Sequence, residues 1–179
     1  MSRHWELTSA REFEMTLSPR RLLVAGGALL SAAFAIIADP SLAGNSVNTG
    51  YFGGVAIMGY DPVAYFTDGR AVRGVPDHAY SWLGTTWHFA TADHKELFAR
   101  DPTKYAPQYG GFCSLGVSYG ESTANIDPEA WRIIDGKLYL NYSVAGGVEW
   151  EQRFAELRAA AEAKWPGIRA RLEGEPSRE

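Results

Sequence analysis

Apolar and polar positions alternate along two stretches of the chain, and each stretch reads as a β-hairpin. Tyr80-Ser81-Trp82-Leu83 and Thr86-Trp87-His88-Phe89 flank Gly84-Thr85. Aromatic and β-branched residues on both sides of a glycine turn are the hairpin pattern. Side chains alternate across a strand, so Trp87 and Phe89 share one face while Thr86 and His88 share the other. Further on, Trp131-Arg132-Ile133-Ile134 and Lys137-Leu138-Tyr139-Leu140 flank Asp135-Gly136. Asp-Gly between apolar runs is the strongest short-range hairpin signal. The two hairpins are expected to form one antiparallel sheet. Val55-Ala56-Ile57-Met58 reads as a short strand or a packed segment.

A longer period governs other segments. Thr91 can cap a helix through His94, Leu97 and Phe98, with Asp93 and Glu96 near its positive end. Phe112 to Tyr119 is a candidate short helix. From Ser143 to Trp165 the residues Trp150, Phe154, Leu157, Ala161 and Trp165 recur at helical spacing and form one face. Pro166-Gly167 is the expected stop. Asp61-Pro62, Asp101-Pro102 and Asp127-Pro128-Glu129 each pair a capping aspartate with a proline suited to the first helical position. Their uneven spacing gives no internal repeat. The fold class expected is α+β: a small antiparallel sheet from two hairpins, short capped helices, and a long C-terminal amphipathic helix.

The N-terminal part follows another logic. Ser18-Pro19-Arg20-Arg21 precedes an uncharged run from Leu22 to Ala38, and the small residues Ser41-Leu42-Ala43-Gly44 follow. Positive region, apolar region and small-residue site is the order of a signal peptide. The run falls short of the roughly 20 residues of a spanning helix, and Gly26 and Gly27 weaken it as a membrane helix. The arginine pair resembles a twin-arginine signal, although Pro19 separates it from Ser18. Ordinary secretion and an uncleaved anchor are the alternatives. The expected division is a signal peptide at 1–43, a mobile leader at 44–54, a domain at 55–168 and a charged tail at 169–179. A periplasmic location follows from it.

Composition narrows the function. A chain of 179 residues with 46% hydrophobic and 13% aromatic residues has the makings of one well-packed domain. The net charge of −4 and the lack of a basic stripe argue against nucleic acid as a partner. Cys113 is the sole cysteine, so no internal disulfide can form. Gly116-Val117-Ser118-Tyr119-Gly120 fits the Gly-x-Ser-x-Gly elbow of hydrolases, but no histidine follows residue 94 to serve as its base. Cys113 has three open roles: a small buried hydrophobe, a metal ligand, or a reactive thiol at a helix start. No Cys-x-x-Cys occurs, so no zinc knuckle or covalent c-type haem is written into the chain. His78, His88, His94, Cys113 and Met58 hold the donor inventory of a blue-copper site, yet no histidine or methionine follows Cys113 as those sites require. The aspartates before turn signals read as caps.

Three blocks carry a family resemblance. They are Gly59-Tyr60-Asp61-Pro62-Val63-Ala64-Tyr65-Phe66, then Tyr80 to Phe89, then Phe98-Ala99-Arg100-Asp101-Pro102-Thr103-Lys104-Tyr105. Their order and spacing resemble the YHS domain family over residues 58–110. Pro107 to Cys113 and Asp127 to Trp165 resemble its extended, exported members. The resemblance implies a small α+β domain and a heavy-metal role, with copper the usual suggestion. It also exposes departures. Ala64 and Ala90 stand where the family has cysteines, and His94 stands where it has another. A methyl group cannot ligate. The expected protein is an exported YHS-type accessory protein handling a soft metal such as copper through His94 and Cys113, joined by His88 or Met58. The alternatives are a metal-free module docking an exported or membrane-bound redox complex, and a thiol enzyme using Cys113. Shared ligation would hold the His94 and Cys113 donors within roughly 4 Å of each other.

Overall fold

The computed structural model describes residues 46–51 and 53–174. The apolar run Leu22–Ala38 and its small-residue site therefore lie outside the described residues, as does 175–179. Among the described residues, no helix is long and apolar enough to cross a membrane.

Both hairpins form. β1 (Val75–Trp82) pairs antiparallel with β2 (Thr85–Phe89), and β3 (Asp127–Ile134) pairs with β4 (Lys137–Asn141). The connecting residues are Leu83-Gly84 and Asp135-Gly136, all at positive φ between 50° and 71°. Two consecutive left-handed residues match the twist of the flanking strands, which is why a second-position glycine marks both turns. The hairpins do not join into the single sheet expected; each is a separate two-stranded sheet. Pro76 and Pro128 sit within register shifts of β1 and β3. A proline has no N–H to offer a further strand, so it blunts these edges. On the far side of β2, Thr86 bridges Val55 instead.

Short helices fill the gaps between strands. α1 (Ala64–Thr67) follows Asp61-Pro62, α2 (Ala92–Arg100) starts on Thr91, α3 (Pro102–Tyr105) starts on Asp101, and α4 (Ser114–Tyr119) starts on Cys113. The Thr91 hydroxyl accepts from the His94 amide and the Asp101 carboxylate from the Lys104 amide, as capping residues should. Asp127-Pro128 begins a strand rather than a helix. Its carboxylate accepts from the Glu129 amide, a local turn that Asp makes equally well outside helices.

The C-terminal helical stretch is two helices. α5 (Val144–Gln152) starts on Ser143, and α6 (Phe154–Gly174) runs through Pro166-Gly167 without stopping. Beyond the proline, Ile168 is 1% exposed and Arg169 pairs with Glu173 one turn on. Burial of Ile168 anchors the extra turns, so the charged tail expected from 169 is helical as far as Gly174.

The core has two parts. One gathers Val63, Tyr65, Trp87, Phe89 and Phe98 with Ile126, Leu138 and Leu140. The other gathers Tyr109, Phe112, Val117, Tyr139 and Trp150 beneath Leu157, Ala161 and Ile168 of α6. The leader expected to be mobile is partly woven into the fold. Asn48 is fully buried, donates its amide to the Gly110 carbonyl, accepts from the Ile57 amide, and sends Nδ2 to the Gly111 and Ala124 carbonyls.

One regularity runs through these elements. β1 and β3 begin 52 residues apart, as do β2 and β4, and α2 and α5. The left-handed turn at Ile57, Met58 and Gly59 is matched by one at Tyr109, Gly110 and Gly111. The repeat not expected from the spacing of Asp-Pro pairs is present in the backbone.

Candidate functional site

The site grows from Asp61. Its side chain is fully buried, yet all of its acceptor capacity is used. Oδ1 accepts from the Val63 and Ala64 amides at 2.8 and 3.3 Å, which opens α1. Oδ2 accepts from the Ala90 amide at 2.8 Å, just beyond β2. The remaining bond, at 2.7 Å, goes to Nδ1 of His94 in the first turn of α2. One carboxylate thus fastens a helix start, a strand end and an imidazole. A buried carboxylate is tolerated only when its lone pairs are filled, and here they are.

This fixes how His94 presents its other nitrogen. With Nδ1 donating to Asp61, Nε2 is left with its lone pair. The imidazole side chain is 12% exposed, so this nitrogen lies at the rim of the fold. Two groups from the end of α1 face it. Thr67 Oγ1 is 3.2 Å away and Asp68 Oδ1 is 3.7 Å away, with 2.8 Å between those two oxygens. Thr67 has one hydroxyl proton and three acceptors within reach: the Val63 carbonyl, Asp68 Oδ1 and His94 Nε2. Any proton it gives elsewhere leaves the imidazole nitrogen available. The three donor atoms form a triangle open to solvent and backed by a buried carboxylate.

Cys113 belongs to a different network. It is 4% exposed, and its sulfur accepts from the Gly116 amide at 3.4 Å and the Tyr142 amide at 3.3 Å. It shares no hydrogen-bond partner with His94. His88 lies half-buried on β2, with Nδ1 facing the Gly59 turn. Met58 lies in the left-handed turn, where its carbonyl accepts from Arg73, and its side chain lines an open pocket with Val55, Tyr51, Arg73 and Asn125. Cys113 and His94 thus stand in different networks, while His88 and Met58 both lie at the Ile57–Gly59 turn, and His94 alone stands in a polar cluster. Among the described residues, no group of three or more His, Cys, Asp and Glu side chains is arranged to hold a metal ion. Ser118 of the Gly-x-Ser-x-Gly match is buried in α4 and donates to the Leu115 carbonyl, so no nucleophile elbow exists.

Asp61, Thr67 and Asp68 were not legible as site residues in the sequence. Asp61 reads as a cap, and its Oδ1 does accept from the Val63 and Ala64 amides at the helix start. Its contact with a histidine 33 positions away has no local signal. Comparison of the chain with family models, curated proteins and solved structures gives no match.

Proposed function

We propose that the chain is an exported YHS-type accessory domain that binds one divalent metal ion at His94, with Thr67 and Asp68 as the neighbouring donors. Support comes from the triangle of Nε2, Oγ1 and Oδ1 held in front of the Asp61–His94 pair. A carboxylate on the far nitrogen of a histidine fixes its tautomer and ring orientation, which is the usual outer shell of a metal-binding imidazole. Donors on one small ion stand roughly 3–3.5 Å apart. Two sides of the triangle are near that value, and Asp68, 31% exposed, has room to close the third. The thiol set of the family pattern does not fit: Ala64 and Ala90 offer nothing, and the Cys113 sulfur is turned inward to two amides. Imidazole with carboxylate and hydroxyl oxygen suits a borderline divalent ion, and the stability order places copper(II) first.

Titration calorimetry of the full chain with copper(II) is the test. One ion per chain is expected, with His94→Ala weakening binding at least tenfold and Cys113→Ser leaving it unchanged. Loss of binding in Cys113→Ser, or none in His94→Ala, would refute the assignment.

A second reading has its own observation. Tyr142, Val144 and Val148 are exposed at the start of α5, and no charged residue occurs from Leu138 to Val148. Exposed apolar side chains of this kind suit docking to an exported or membrane-bound redox protein. A photo-crosslinker at Val148 would then capture that partner in whole cells, while one at Glu96 on α2 would not.

A further inference from the structure

The two halves of the described chain agree in more than element order. β1 at Val75–Trp82, β2 at Thr85–Phe89 and α2 at Ala92–Arg100 reappear as β3 at Asp127–Ile134, β4 at Lys137–Asn141 and α5 at Val144–Gln152, with every boundary displaced by 52 positions. The registers follow. Val75 faces Phe89 and Asp127 faces Asn141; Ala79 faces His88 and Trp131 faces Leu140; the ladder slips at the same place in both. The hydrogen bonds follow too. The Tyr60 amide donates to Ile57 and the Phe112 amide to Tyr109. Thr91 caps α2 through the His94 amide, and Ser143 caps α5 through the Gly146 amide. The largest buried ring of each closing helix, Phe98 or Trp150, is also at the same offset, and both are 0% exposed. Between 57–98 and 109–150 only Gly59/Gly111, Pro76/Pro128 and Gly84/Gly136 carry the same residue. The last two of these are the strand proline and the turn glycine, which the backbone demands.

At this offset Asp61 corresponds to Cys113, and the correspondence extends to their bonds. Asp61 accepts from the Ala64 and Ala90 amides. Cys113 accepts from the Gly116 and Tyr142 amides, the same two positions in the second half. A carboxylate has two acceptor atoms and a thiol has one. The third donor of the first half, the Val63 amide, goes to Asp61. Its counterpart, the Leu115 amide, goes instead to Asn141 Oδ1, and Asn141 stands where the first half has Phe89. The pair Cys113 and Asn141 thus does the work of the Asp61 carboxylate.

We infer that the domain is a tandem duplication of one 52-residue unit, in which Cys113 is the positioning counterpart of Asp61 and ties the end of β4 to the start of α4. Its sulfur is engaged by the Gly116 and Tyr142 amides. The inference stands apart from the metal reading but limits it. The counterparts of Thr67, Asp68 and His94 are Tyr119, Gly120 and Gly146, so the second unit has no equivalent of the His94 cluster.

Amide hydrogen exchange on full-length variants tests the equivalence where it acts. Cys113→Ala removes the acceptor, and the Tyr142 and Gly116 amides are expected to exchange at least tenfold faster. Cys113→Asp supplies the acceptor of the first unit and is expected to restore both amides to within about threefold of the parent. Exchange as fast in Cys113→Asp as in Cys113→Ala would overturn the inference. If Cys113→Asp does not fold, the reciprocal comparison decides. Asp61→Cys should protect the Ala90 and Ala64 amides at least threefold better than Asp61→Ala, and equal exchange in the two would overturn it.

Discussion

Replacing Asp61 by alanine tests the central junction of the fold. The substitution deletes four acceptor contacts at once: Val63, Ala64 and Ala90 amides and the His94 imidazole, at 2.8, 3.3, 2.8 and 2.7 Å. Val63 is itself 0% exposed, so water cannot replace the lost partner of its amide. A buried donor left unsatisfied costs roughly 1–3 kcal/mol. The part-buried Ala90 amide loses an ordinary hydrogen bond, worth about 1 kcal/mol. The Ala64 bond is long and adds little, and His94 can turn toward Asp68. The sum is roughly 2–4 kcal/mol, a large part of the 5–15 kcal/mol that holds a typical domain together. Urea denaturation followed by tryptophan fluorescence measures it. With a slope of about 1.5–2 kcal/mol per molar, the midpoint should fall by roughly 2 M. Asp61→Asn keeps the shape and one acceptor oxygen, so it should lose less than half as much. A loss under about 1 kcal/mol in Asp61→Ala would mean that these amides find other partners and that Asp61 does not fasten the junction.

Other expectations concern the core and alkaline pH. Phe98 packs its ring against Tyr80, Trp82, Trp87 and Phe89 at centroid distances of 5.1 to 6.2 Å, so Phe98→Ala should cost about 3–5 kcal/mol in the same urea assay. Burial pushes the Tyr65, Tyr109 and Tyr139 hydroxyls above the usual tyrosine range; at Tyr65 the charge of Glu129 adds to it. A folded value above the unfolded one near 10 means their contribution is intact below about pH 10 and drains away as pH rises further. The part of the tyrosinate absorbance that belongs to these three should therefore rise only together with the loss of circular dichroism.

Local chemistry carried far in this chain, and long-range pairing did not. Thr91, Asp101 and the Asp135-Gly136 turn act where their neighbours say they should, because caps and two-residue turns are decided within four residues. Asp127-Pro128 misled because an aspartate that folds back on the amide two residues later does so in a strand as readily as at a helix start. Pro166 misled because a single missing backbone bond is outweighed when Ile168 beyond it is buried. The Asp61–His94 pair and the Cys113–Tyr142 bond join residues about thirty positions apart, with no periodicity to announce them. The duplication is invisible to residue matching, since what persists is backbone conformation and acceptor placement while side chains have diverged.

Asn48 lies ahead of both units and stitches the left-handed turn of each to the other, through Ile57 on one side and Gly110 and Gly111 on the other. The first core cluster likewise borrows Ile126, Leu138 and Leu140 from the second unit. A nascent chain therefore cannot finish its first half when that half leaves the ribosome. It must wait for some forty further residues to be synthesised, roughly 2–8 s at ordinary elongation rates. During that interval Trp87, Phe89 and Phe98 are the surface a chaperone would meet.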